Sequence, residues 1–304
     1  MMQGILIVDK PMDWTSFDVV AKLRGVLGTR KLGHSGTLDP MATGVLPVFC
    51  GGASKAVDLQ LNHDKTYRAT LRLGARTDTG DSTGTVLETA PVTAGEKELL
   101  AVLPQFVGPQ MQVPPMYSAV KINGQPLYKL AREGVTVERK ARPIEILDIR
   151  YGGSPAENEY VLTVRCSKGT YIRTLCHDIG EKLGCGGCME ALIRTRVGRF
   201  ELKDSISLKE LEKIRDEERL GEHLVSVEEM FLDQPKASAL PEADSLVHNG
   251  NPVKPELVNV ERDQRYTDQQ LFRMYDSDQQ FLGVYRYEED RKWLKPWKMF
   301  LGGN

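Results

Sequence analysis

One segment of the chain alternates strictly between apolar and polar side chains, and this pattern limits what the chain can fold into. Residues Thr66–Leu73 place Tyr67, Ala69, Leu71 and Leu73 on one face and Thr66, Arg68, Thr70 and Arg72 on the other. A period of two predicts a strand with one buried face and one polar, partly cationic face. Tyr160–Cys166 alternates similarly, and Ile5–Val8 predicts a short buried strand.

Two helices are predicted between these strands. Thr15 or Ser16 can cap a helix over Phe17–Leu27 that Gly28 ends. Leu175, Ile179 and Leu183 form one apolar stripe of a second helix, which Gly184 can terminate. Helices and strands do not follow a regular strand–helix–strand rhythm, so the pattern favours an α+β fold over a doubly wound parallel sheet.

The pattern of predicted elements changes after Glu201. Ser207–Glu210 and Ser226–Glu229 each fit a capping box, with an acidic, solvent-facing helix expected between them. Pro235 and Pro241 then interrupt regular secondary structure. Short strand-like runs follow at Gln270–Tyr275, Phe281–Tyr287 and Lys298–Leu301. We therefore expect a domain boundary near Pro235, with one domain over residues 1–235 and a small all-β module over residues 236–304.

Composition excludes several classes of protein. The chain has 304 residues, 40% of them hydrophobic and 27% charged, which is typical of globular domains rather than disordered chains. No apolar run approaches the roughly 20 residues of a membrane span. The start of the chain lacks the basic and apolar regions of a signal peptide, so we expect none. Five cysteines do not suggest a disulfide framework, and we expect a cytoplasmic location and no membrane partner.

The charge is distributed unevenly along the chain. The formal net charge is −2, but residues 1–200 hold 25 Lys and Arg against 20 Asp and Glu, whereas residues 201–304 hold 15 against 22. An RNA backbone responds to the local field rather than to the overall isoelectric point. The basic front part is therefore compatible with phosphate binding, although a solvated surface would give the same excess.

The most informative segment is Gly33–Pro47, which reads GHSGTLDPMATGVLP. Asp39 stands directly before Pro40, which restricts the backbone of the aspartate and the directions its carboxylate can take. Such a carboxylate can act as a nucleophile, a general base or a metal ligand. A metal site fits poorly because no second acidic residue stands within nine positions, and the glycine pattern is not that of a phosphate-binding loop. Without further information, a plain turn remains the alternative.

Several segments in the same order resemble the bacterial tRNA pseudouridine-55 synthases, the TruB family. Gly33–Pro47 resembles the family signature, and four further segments match its other motifs: Asp9–Ser16 (DKPMDWTS), Lys65–Tyr67 (KTY), Pro114–Lys121 with Tyr128–Gly134 (PPMYSAVK and YKLAREG), and Ser167–Leu175 (SKGTYIRTL). In the tail, Phe281–Gly283 and Leu294–Phe300 resemble a PUA-type RNA-binding module.

The resemblance implies a pseudouridine synthase fold, with a mixed, mainly antiparallel central sheet flanked by helices and loops, plus a C-terminal β module similar to PUA domains. It implies an enzyme that breaks the bond between uracil and ribose in one tRNA uridine, turns the base and rejoins it through carbon. Such an isomerisation requires no cofactor and no metal. Asp39 matches the family nucleophile, which attacks the base or the sugar, and Arg173 matches an arginine that pairs with it.

The resemblance also assigns substrate contacts. Tyr67 matches a tyrosine that stacks on the flipped base and takes part in moving the C5 proton, so we count it with Asp39 and Arg173 as catalytic. Tyr171 and Leu192 match residues lining the same pocket, and His34 matches a histidine that fills the gap left by the flipped nucleotide. Taken alone, Tyr67 and Leu192 equally fit core positions, and a lone histidine usually has a structural role. Lys10 and Pro11 are expected to pack under the catalytic loop without a catalytic step.

The segment of about residues 110–143 resembles a thumb that closes over the T arm of tRNA. Residues 121–142 contain six Lys and Arg and two acids, interleaved with Tyr128, and RNA contacts are assigned to Lys121, Lys129, Arg132 and Arg142. Basic groups with an aromatic residue suit a looped RNA target better than a duplex. A solvated charged hairpin is the alternative.

The chain departs from the family pattern at Asp13, where the family usually has glycine. Cys185 and Cys188, with Cys176 and His177 nearby, raise the possibility of a zinc site, but no second pair of cysteines completes the usual pattern. We expect Cys185 and Cys188 to be small buried groups near a tight turn.

The sequence therefore predicts a tRNA pseudouridine-55 synthase that acts on the T-arm stem-loop as a monomer, without an obligate protein partner. The alternative is a non-catalytic tRNA-binding or tRNA-folding protein on the same scaffold. A carboxylate-dependent glycosidase would need a second acid as proton donor, and none of the motifs supplies one.

Overall fold

The computed structural model describes residues 3–57, 64–260 and 266–300. Its strands, in chain order, are β1 (Gly4–Lys10), β2 (Leu32–His34), β3 (Thr43–Cys50), β4 (Lys65–Leu73), β5 (Ala75–Thr77), β6 (Val86–Thr89), β7 (Gly108–Gln112), β8 (Lys121–Ile122), β9 (Gln125–Pro126), β10 (Arg142–Tyr151), β11 (Glu159–Cys166), β12 (Gly187–Val197), β13 (Phe200–Glu201), β14 (Ile206–Ser207), β15 (Lys236–Ala239), β16 (Val258–Val260), β17 (Leu271–Tyr275), β18 (Phe281–Glu288) and β19 (Trp293–Met299). Its α-helices are α1 (Ser16–Leu27), α2 (Glu96–Val102), α3 (Leu127–Arg132), α4 (Ile172–Lys182), α5 (Leu208–Asp216) and α6 (Asp244–His248).

The larger sheet has ten strands, eight of them in the order β14-β1-β3-β12-β4-β11-β10-β7, with β2 added to β3 and β13 added to β12. Within this sheet, β1 with β14 and β3 with β12 pair in parallel, and the other pairs are antiparallel. This mixed, mainly antiparallel sheet with separate helices confirms the predicted α+β class. Strands β4 and β12 lie near its middle, where both neighbours hold them in register.

The alternating strand is formed as predicted. Strand β4 buries Tyr67, Ala69, Leu71 and Leu73 in one core cluster, while its intervening residues are half-buried or exposed. Helix α1 also follows the sequence signals, since Thr15 accepts a hydrogen bond from the Asp18 N–H and Gly28 ends the helix at φ 61°. Helix α4 buries the predicted Leu175 and Ile179 against the same core.

Residues 113–141 form an excursion between the paired strands β7 and β10. The excursion contains the two-residue strands β8 and β9, joined by Asn123 and Gly124 with φ of 49° and 81°, followed directly by the short helix α3. We call residues 113–141 the thumb segment. Its only core side chain among β8, β9 and α3 is Leu127.

A second sheet of five strands, in the order β16-β15-β17-β18-β19, begins at Lys236 and confirms the expected C-terminal β module. The prediction that this module is all-β was wrong, because helix α6 lies between β15 and β16. The second sheet packs on the larger sheet, because Val284 and Phe300 share a core cluster with Ile5 and Phe231. The Arg273 guanidinium also pairs with Glu228 at 2.8 Å. The division of the chain at residue 235 stays a prediction.

Two local predictions in this region were wrong. The last strand runs over Trp293–Met299 instead of Lys298–Leu301, and Leu301 lies outside the described residues. Pro296 has no N–H to donate, so in the sequence it argues against a strand at this position. β19 is an edge strand with an irregular register, where a missing N–H is tolerated. Ser207 forms the predicted capping box, whereas Ser226 caps a 3-10 helix through the Glu228 N–H without a box. No helix in the described ranges is long and apolar enough to cross a membrane.

Candidate active site

The loop between β2 and β3 carries Asp39, and hydrogen bonds to residues 10–16 hold it in place. Ser16 Oγ accepts a hydrogen bond from the Leu38 N–H at 2.9 Å, and the Asp13 N–H donates to the Pro40 carbonyl at 2.9 Å. The fully buried Lys10 ammonium donates to the same Pro40 carbonyl at 3.0 Å and to the carbonyls of Pro11 and Trp14. Lys10 therefore supports the loop, as expected, and the Pro11 carbonyl helps to hold the ammonium in place. The packing of Pro11 under the loop stays a prediction.

Asp13 adopts φ 64°, a left-handed conformation that favours glycine but that aspartate tolerates. The turn before Trp14 therefore keeps a glycine-like backbone at the position where the family usually has glycine. This conformation also directs the Asp13 N–H toward the Pro40 carbonyl. The departure from the family motif thus leaves the support of the Asp39 loop in place.

Asp39 and Arg173 form a two-pronged ion pair. Arg173 Nε lies 3.0 Å from Asp39 Oδ2, and Arg173 Nη2 lies 3.1 Å from Asp39 Oδ1. The Arg173 side chain is 4% exposed, whereas Asp39 keeps 34% of its side chain accessible. The planar guanidinium thus holds both carboxylate oxygens from the protein side and leaves the carboxylate reachable from the cavity.

Arg173 is itself held by three further acceptors. Its Nη1 donates to the Thr79 carbonyl at 2.9 Å and lies 3.7 Å from Asp81 Oδ2, and its Nη2 donates to the Tyr117 carbonyl at 2.7 Å. Asp81 is 4% exposed and accepts hydrogen bonds from the hydroxyls of Thr79 and Thr83. The loop after β5 and the base of the thumb segment therefore both fix the direction of the guanidinium.

Burial raises the pKa of Asp39 above its ordinary value of 3.8, the Arg173 charge opposes this rise, and the like charge of Asp81 adds to it. The ion pair with Arg173 favours the charged carboxylate, while the surroundings favour the neutral acid. Asp39 therefore combines an anionic form held by Arg173 with a higher proton affinity than a solvated carboxylate, which suits a nucleophile or a base.

Asp39 opens into a cavity of about 260 Å³ on the face of the larger sheet. The structure brings Asp39, Arg173, Tyr67, Tyr171 and Leu192 together in the lining of this cavity. Their role in binding substrate stays a prediction, although their proximity is what that prediction requires. His34 does not line the cavity: it is half-buried at the end of β2, opposite Val48, and burial lowers its pKa.

Tyr67 lies opposite Arg194 in the antiparallel pairing of β4 with β12. Arg194 is completely buried and donates from Nε to the Val45 carbonyl at 2.7 Å and from Nη2 to the Gly36 carbonyl at 3.0 Å. Burial raises the pKa of Tyr67 to about 12, and the Arg194 charge opposes this rise. Arg194 thus connects the Asp39 loop to the tyrosine and supplies a positive charge beside the phenol.

Two glycines of the Asp39 loop make room for Arg194. Gly36 has φ +75°, and a Cβ there would lie 3.2 Å from Arg194 Nη1. Gly44 has φ +100° and pairs with Arg194 across β3 and β12, so a Cβ there would lie 2.3 Å from the Arg194 carbonyl oxygen. The glycines in this motif therefore serve the close approach of one buried arginine.

Sequence reasoning assigned no role to four charged residues of this site, Lys65, Asp81, Lys168 and Arg194, or to the buried Ser118. Arg194 carried a usable signal, because it stands two positions from Leu192 on one strand and so shares its face. Lys65 shares the face of Tyr67 on β4 in the same way, and burial lowers its pKa to about 8. With Lys168, Arg173 and Arg194, it gives the cavity lining four cationic side chains against the one carboxylate of Asp39, an environment favourable to an anion.

The four predicted thumb contacts, Lys121, Lys129, Arg132 and Arg142, are all exposed. Within the described ranges, none of them forms an ion pair, and Arg132 lies over the Tyr128 ring at 5.6 Å. The structure therefore leaves their charges accessible to an external partner, while contact with RNA stays a prediction.

Cys185 and Cys188 are buried free thiols beside the turn formed by Gly184 and Gly186, as expected. In the part of the chain that the structure describes, no group of three or more potential ligands (His, Cys, Asp or Glu) is placed to hold a metal ion.

Comparison with known proteins agrees with the motifs. The family model described as TruB family pseudouridylate synthase (N terminal domain) matches residues 24–172, and that of the tRNA pseudouridylate synthase B C-terminal domain matches residues 173–232. The tRNA pseudouridine synthase B of Lachnoclostridium phytofermentans is 46% identical and covers 99% of this chain and 100% of its own. The protein of the same name from Actinobacillus pleuropneumoniae is 40% identical, covering 98% and 96%.

Among solved structures, a chain of a Cbf5-Nop10-Gar1 complex superposes with a TM-score of 0.75 at 25% identity, covering 98% of this chain and 85% of that chain. A chain of an archaeal box H/ACA sRNP Nop10-Cbf5 complex superposes with a TM-score of 0.73 at 22% identity and shows the shared fold. Identity of 40–46% along nearly the whole chain, together with the matching fold, shows that the chain belongs to the TruB family of pseudouridine synthases.

Proposed function

We propose that this chain converts uridine 55 in the T loop of tRNA to pseudouridine, with Asp39 as the nucleophile acting on a flipped-out nucleotide. Relatives that match nearly the full chain are named tRNA pseudouridine synthase B, which supports pseudouridine formation in tRNA. The observation that carries the assignment to Asp39 is its two-pronged pair with buried Arg173 at a cavity that also contains Tyr67.

The proposed reaction is an isomerisation in which bonds and protons balance. Asp39 attacks the base or the sugar, and the N1–C1′ bond breaks. The base turns, C5 bonds to the sugar, and the bond to Asp39 breaks, which restores the carboxylate. The proton then leaves C5, and N1 gains a proton. Arg173 holds the carboxylate ionised and aimed before the attack, since both oxygens are bound from the protein side.

Tyr67 supports two parts of this proposal. Its ring lines the cavity, and stacking on a flipped base returns about 1–3 kcal/mol, comparable to the few kcal/mol that unstacking the nucleotide costs. Its hydroxyl faces the positive charge of Arg194, which opposes the effect of burial on the tyrosine pKa. Burial nevertheless raises that pKa to about 12, so the phenol is protonated in the free protein, and moving the C5 proton would require it to pass its own proton on at the same time. Tyr171 and Leu192 complete the wall around the base, and His34 would fill the gap in the RNA.

The proposed partner is the T-arm stem-loop of tRNA. The exposed cations Lys121, Lys129 and Arg132 of the thumb segment, with Arg142 at the start of β10, would contact its phosphates. The second sheet, from residue 236, would act as a PUA-like RNA-binding domain attached to the catalytic domain of residues 1–235. One of the similar solved structures is a complex of Cbf5 with Nop10 and Gar1, and another is a complex of Cbf5 with Nop10. We propose that this chain instead acts as a monomer in the cytoplasm, because its own thumb segment and second sheet supply surfaces for RNA.

The decisive experiment compares the wild type with Asp39→Asn on an unmodified T-arm stem-loop. The wild type should form pseudouridine at position 55 only, whereas Asp39→Asn should form none while its affinity for the RNA stays nearly unchanged. Asp216→Asn, an exposed acid on α5, is the matched control and should retain full activity. Binding without pseudouridine in the wild type would favour the non-catalytic tRNA-binding alternative. Activity in Asp39→Asn would show that another group is the nucleophile.

A further inference from the structure

Ser118 is a buried hydroxyl at the base of the thumb segment that the proposed mechanism does not use. Its residue is 5% exposed, and no described residue provides a hydrogen-bond partner for its Oγ. Buried polar side chains nearly always have such a partner, so an unpaired one calls for an explanation. Ser118 lines the same cavity as Asp39, Tyr67 and Arg173, while its Oγ itself is buried. A molecule that enters this cavity can therefore supply the missing partner once rotation about χ1 turns the hydroxyl toward it.

The backbone around Ser118 places it at the carboxylate end of the cavity. The carbonyl of the preceding residue, Tyr117, accepts a hydrogen bond from Arg173 Nη2 at 2.7 Å, and the same nitrogen lies 3.1 Å from Asp39 Oδ1. The peptide between Tyr117 and Ser118 is thus only one guanidinium nitrogen away from the proposed nucleophile. Ser118 thus directly follows the residue whose carbonyl is bound to the arginine of the Asp39–Arg173 pair.

Either route of attack brings the glycosidic bond of the flipped uridine to Asp39. Besides the ring oxygen O4′, two exocyclic oxygens lie next to that bond: uracil O2 on the base and the 2′-hydroxyl on the ribose. We propose that Ser118 Oγ binds one of these oxygens and thereby sets the position of the glycosidic bond relative to Asp39. This inference rests on the proposed function, because it requires a uridine in the cavity.

The thumb segment controls where this hydroxyl points. The Ser118 carbonyl accepts a hydrogen bond from the Tyr128 N–H, and the Val120 carbonyl accepts one from the Leu127 N–H, so the first turn of α3 fixes the irregular segment that carries Ser118. RNA held by exposed cations on α3 would therefore be coupled through this segment to the Ser118 hydroxyl and, through the Tyr117 carbonyl, to Arg173. Ser118 is in this sense a substrate-contact residue contributed by the gripping segment.

The test measures kcat and KM for the wild type and Ser118→Ala on stem-loops that carry uridine, 2-thiouridine or 2′-deoxyuridine at the target position. Loss of one hydrogen bond to an uncharged group should lower kcat/KM for uridine about 3–10-fold in Ser118→Ala. The analogue that lacks the bound oxygen should impair the wild type but cause little further loss in the variant, because the contact is already absent. Non-additivity with 2-thiouridine identifies uracil O2, and non-additivity with 2′-deoxyuridine identifies the ribose.

Stability separates this role from a structural one. Because the Ser118 hydroxyl has no partner in the free protein, Ser118→Ala should have a melting temperature equal to or above that of the wild type. Ser118→Thr and Ser118→Val, which have nearly the same shape, provide a second pair in which only threonine should retain the analogue pattern. Ser205→Ala removes a hydroxyl far from the cavity and should not change kcat/KM.

Unchanged kcat/KM in Ser118→Ala, or losses that multiply fully with both analogues, would overturn the assignment of Ser118 while leaving the proposed function intact. A lower melting temperature of Ser118→Ala with no dependence on the analogue would do the same. Absence of pseudouridine with the wild type on the uridine stem-loop would overturn the proposed function itself, and the inference with it.

Discussion

The cavity around Asp39 and the thumb segment both concentrate charge, but they hold it in opposite ways. In the cavity, the charges of Arg173, Arg194 and Asp81 are buried and each is tied to named acceptors or donors. In the thumb segment, Lys121, Lys129 and Arg132 are exposed and make no ion pair with any described residue. Charged side chains of the same types are thus held in fixed positions around the cavity and remain accessible to an external partner in the thumb segment.

The difference has a physical consequence for substitutions. A buried charge interacts strongly with its neighbours and depends on geometry at the level of tenths of an ångström, whereas an exposed charge is weakened by solvent and salt. Substitutions in the cavity should therefore change the rate of the chemical step by large factors. Substitutions in the thumb segment should change affinity by small factors that depend on salt.

The largest effect among these tests is expected for Tyr67→Phe, which keeps the stacking ring and removes the hydroxyl. If Tyr67 accepts the C5 proton, kcat should fall about 10³-fold while RNA affinity stays within about twofold. Tyr160→Phe is the matched control, since Tyr160 is equally buried on the neighbouring strand β11 but does not line the cavity. Single-turnover rates and filter binding provide the two measurements. Full activity of Tyr67→Phe would leave stacking as its only role.

A smaller effect is expected for Arg173→Lys, which keeps the positive charge but removes the planar guanidinium that binds both oxygens of Asp39. Lysine can bind one oxygen of Asp39 but cannot also reach the Thr79 and Tyr117 carbonyls as Arg173 does. We expect kcat to fall about 10²-fold with little change in RNA affinity. Arg219→Lys, in an exposed pair with Glu222, should have no effect. Equal activity of Arg173→Lys and wild type would show that only the charge matters in the cavity.

The pH dependence tests the raised pKa of Asp39. Because the nucleophile must be ionised and its pKa lies above 3.8, activity should be lost on acidification at a higher pH than for a solvated aspartate. The like charge of Asp81 raises this pKa, so Asp81→Asn should move the acid limb of kcat/KM to lower pH. The profile of kcat/KM on the stem-loop measures both effects. A limb that stays in place, or moves to higher pH, contradicts the proposed influence of Asp81.

The smallest effect is expected in the thumb segment. Lys129→Ala combined with Arg132→Ala should raise KM several-fold at moderate salt and leave kcat unchanged. It should also reduce the slope of log affinity against log salt by about 1–2. The control pair Lys209→Ala with Lys213→Ala removes two exposed lysines from α5 and should change neither value. A salt slope identical to that of the wild type would mean that these residues do not contact phosphates.

Local patterns in the sequence were sufficient for much of the fold. The alternation in Thr66–Leu73, the cap at Thr15 and the stop at Gly28 each concern interactions within a few residues, and all three were confirmed. Strand β19 was misplaced because Pro296 normally argues against a strand, and only its position at the edge of a sheet makes it acceptable. Ser226 was predicted to form a capping box because the residue spacing alone does not distinguish an α-helix from a 3-10 helix.

The candidate site divides in the same way. Asp39, Tyr67 and Arg173 stand in distinctive motifs, and the structure brings them into one cavity, although their roles remain to be tested. Asp81 and Arg194 stand in no motif that was singled out, yet one flanks Arg173 and the other lies opposite Tyr67. Ser118 stands within a motif, but its unpaired hydroxyl becomes visible only once its surroundings are known.

By itself, the sequence determined which segments become strands and helices and which short motifs carry reactive groups, because those properties depend on neighbours along the chain. Only the tertiary structure decided which of the many charged residues lose their water, and which partners they meet instead. Arg194 and Arg132 are chemically the same residue, and nothing in the side chain itself distinguishes them. One becomes a fixed part of the cavity and the other an accessible surface cation, because the pairing of distant strands buries the first and leaves the second in solvent.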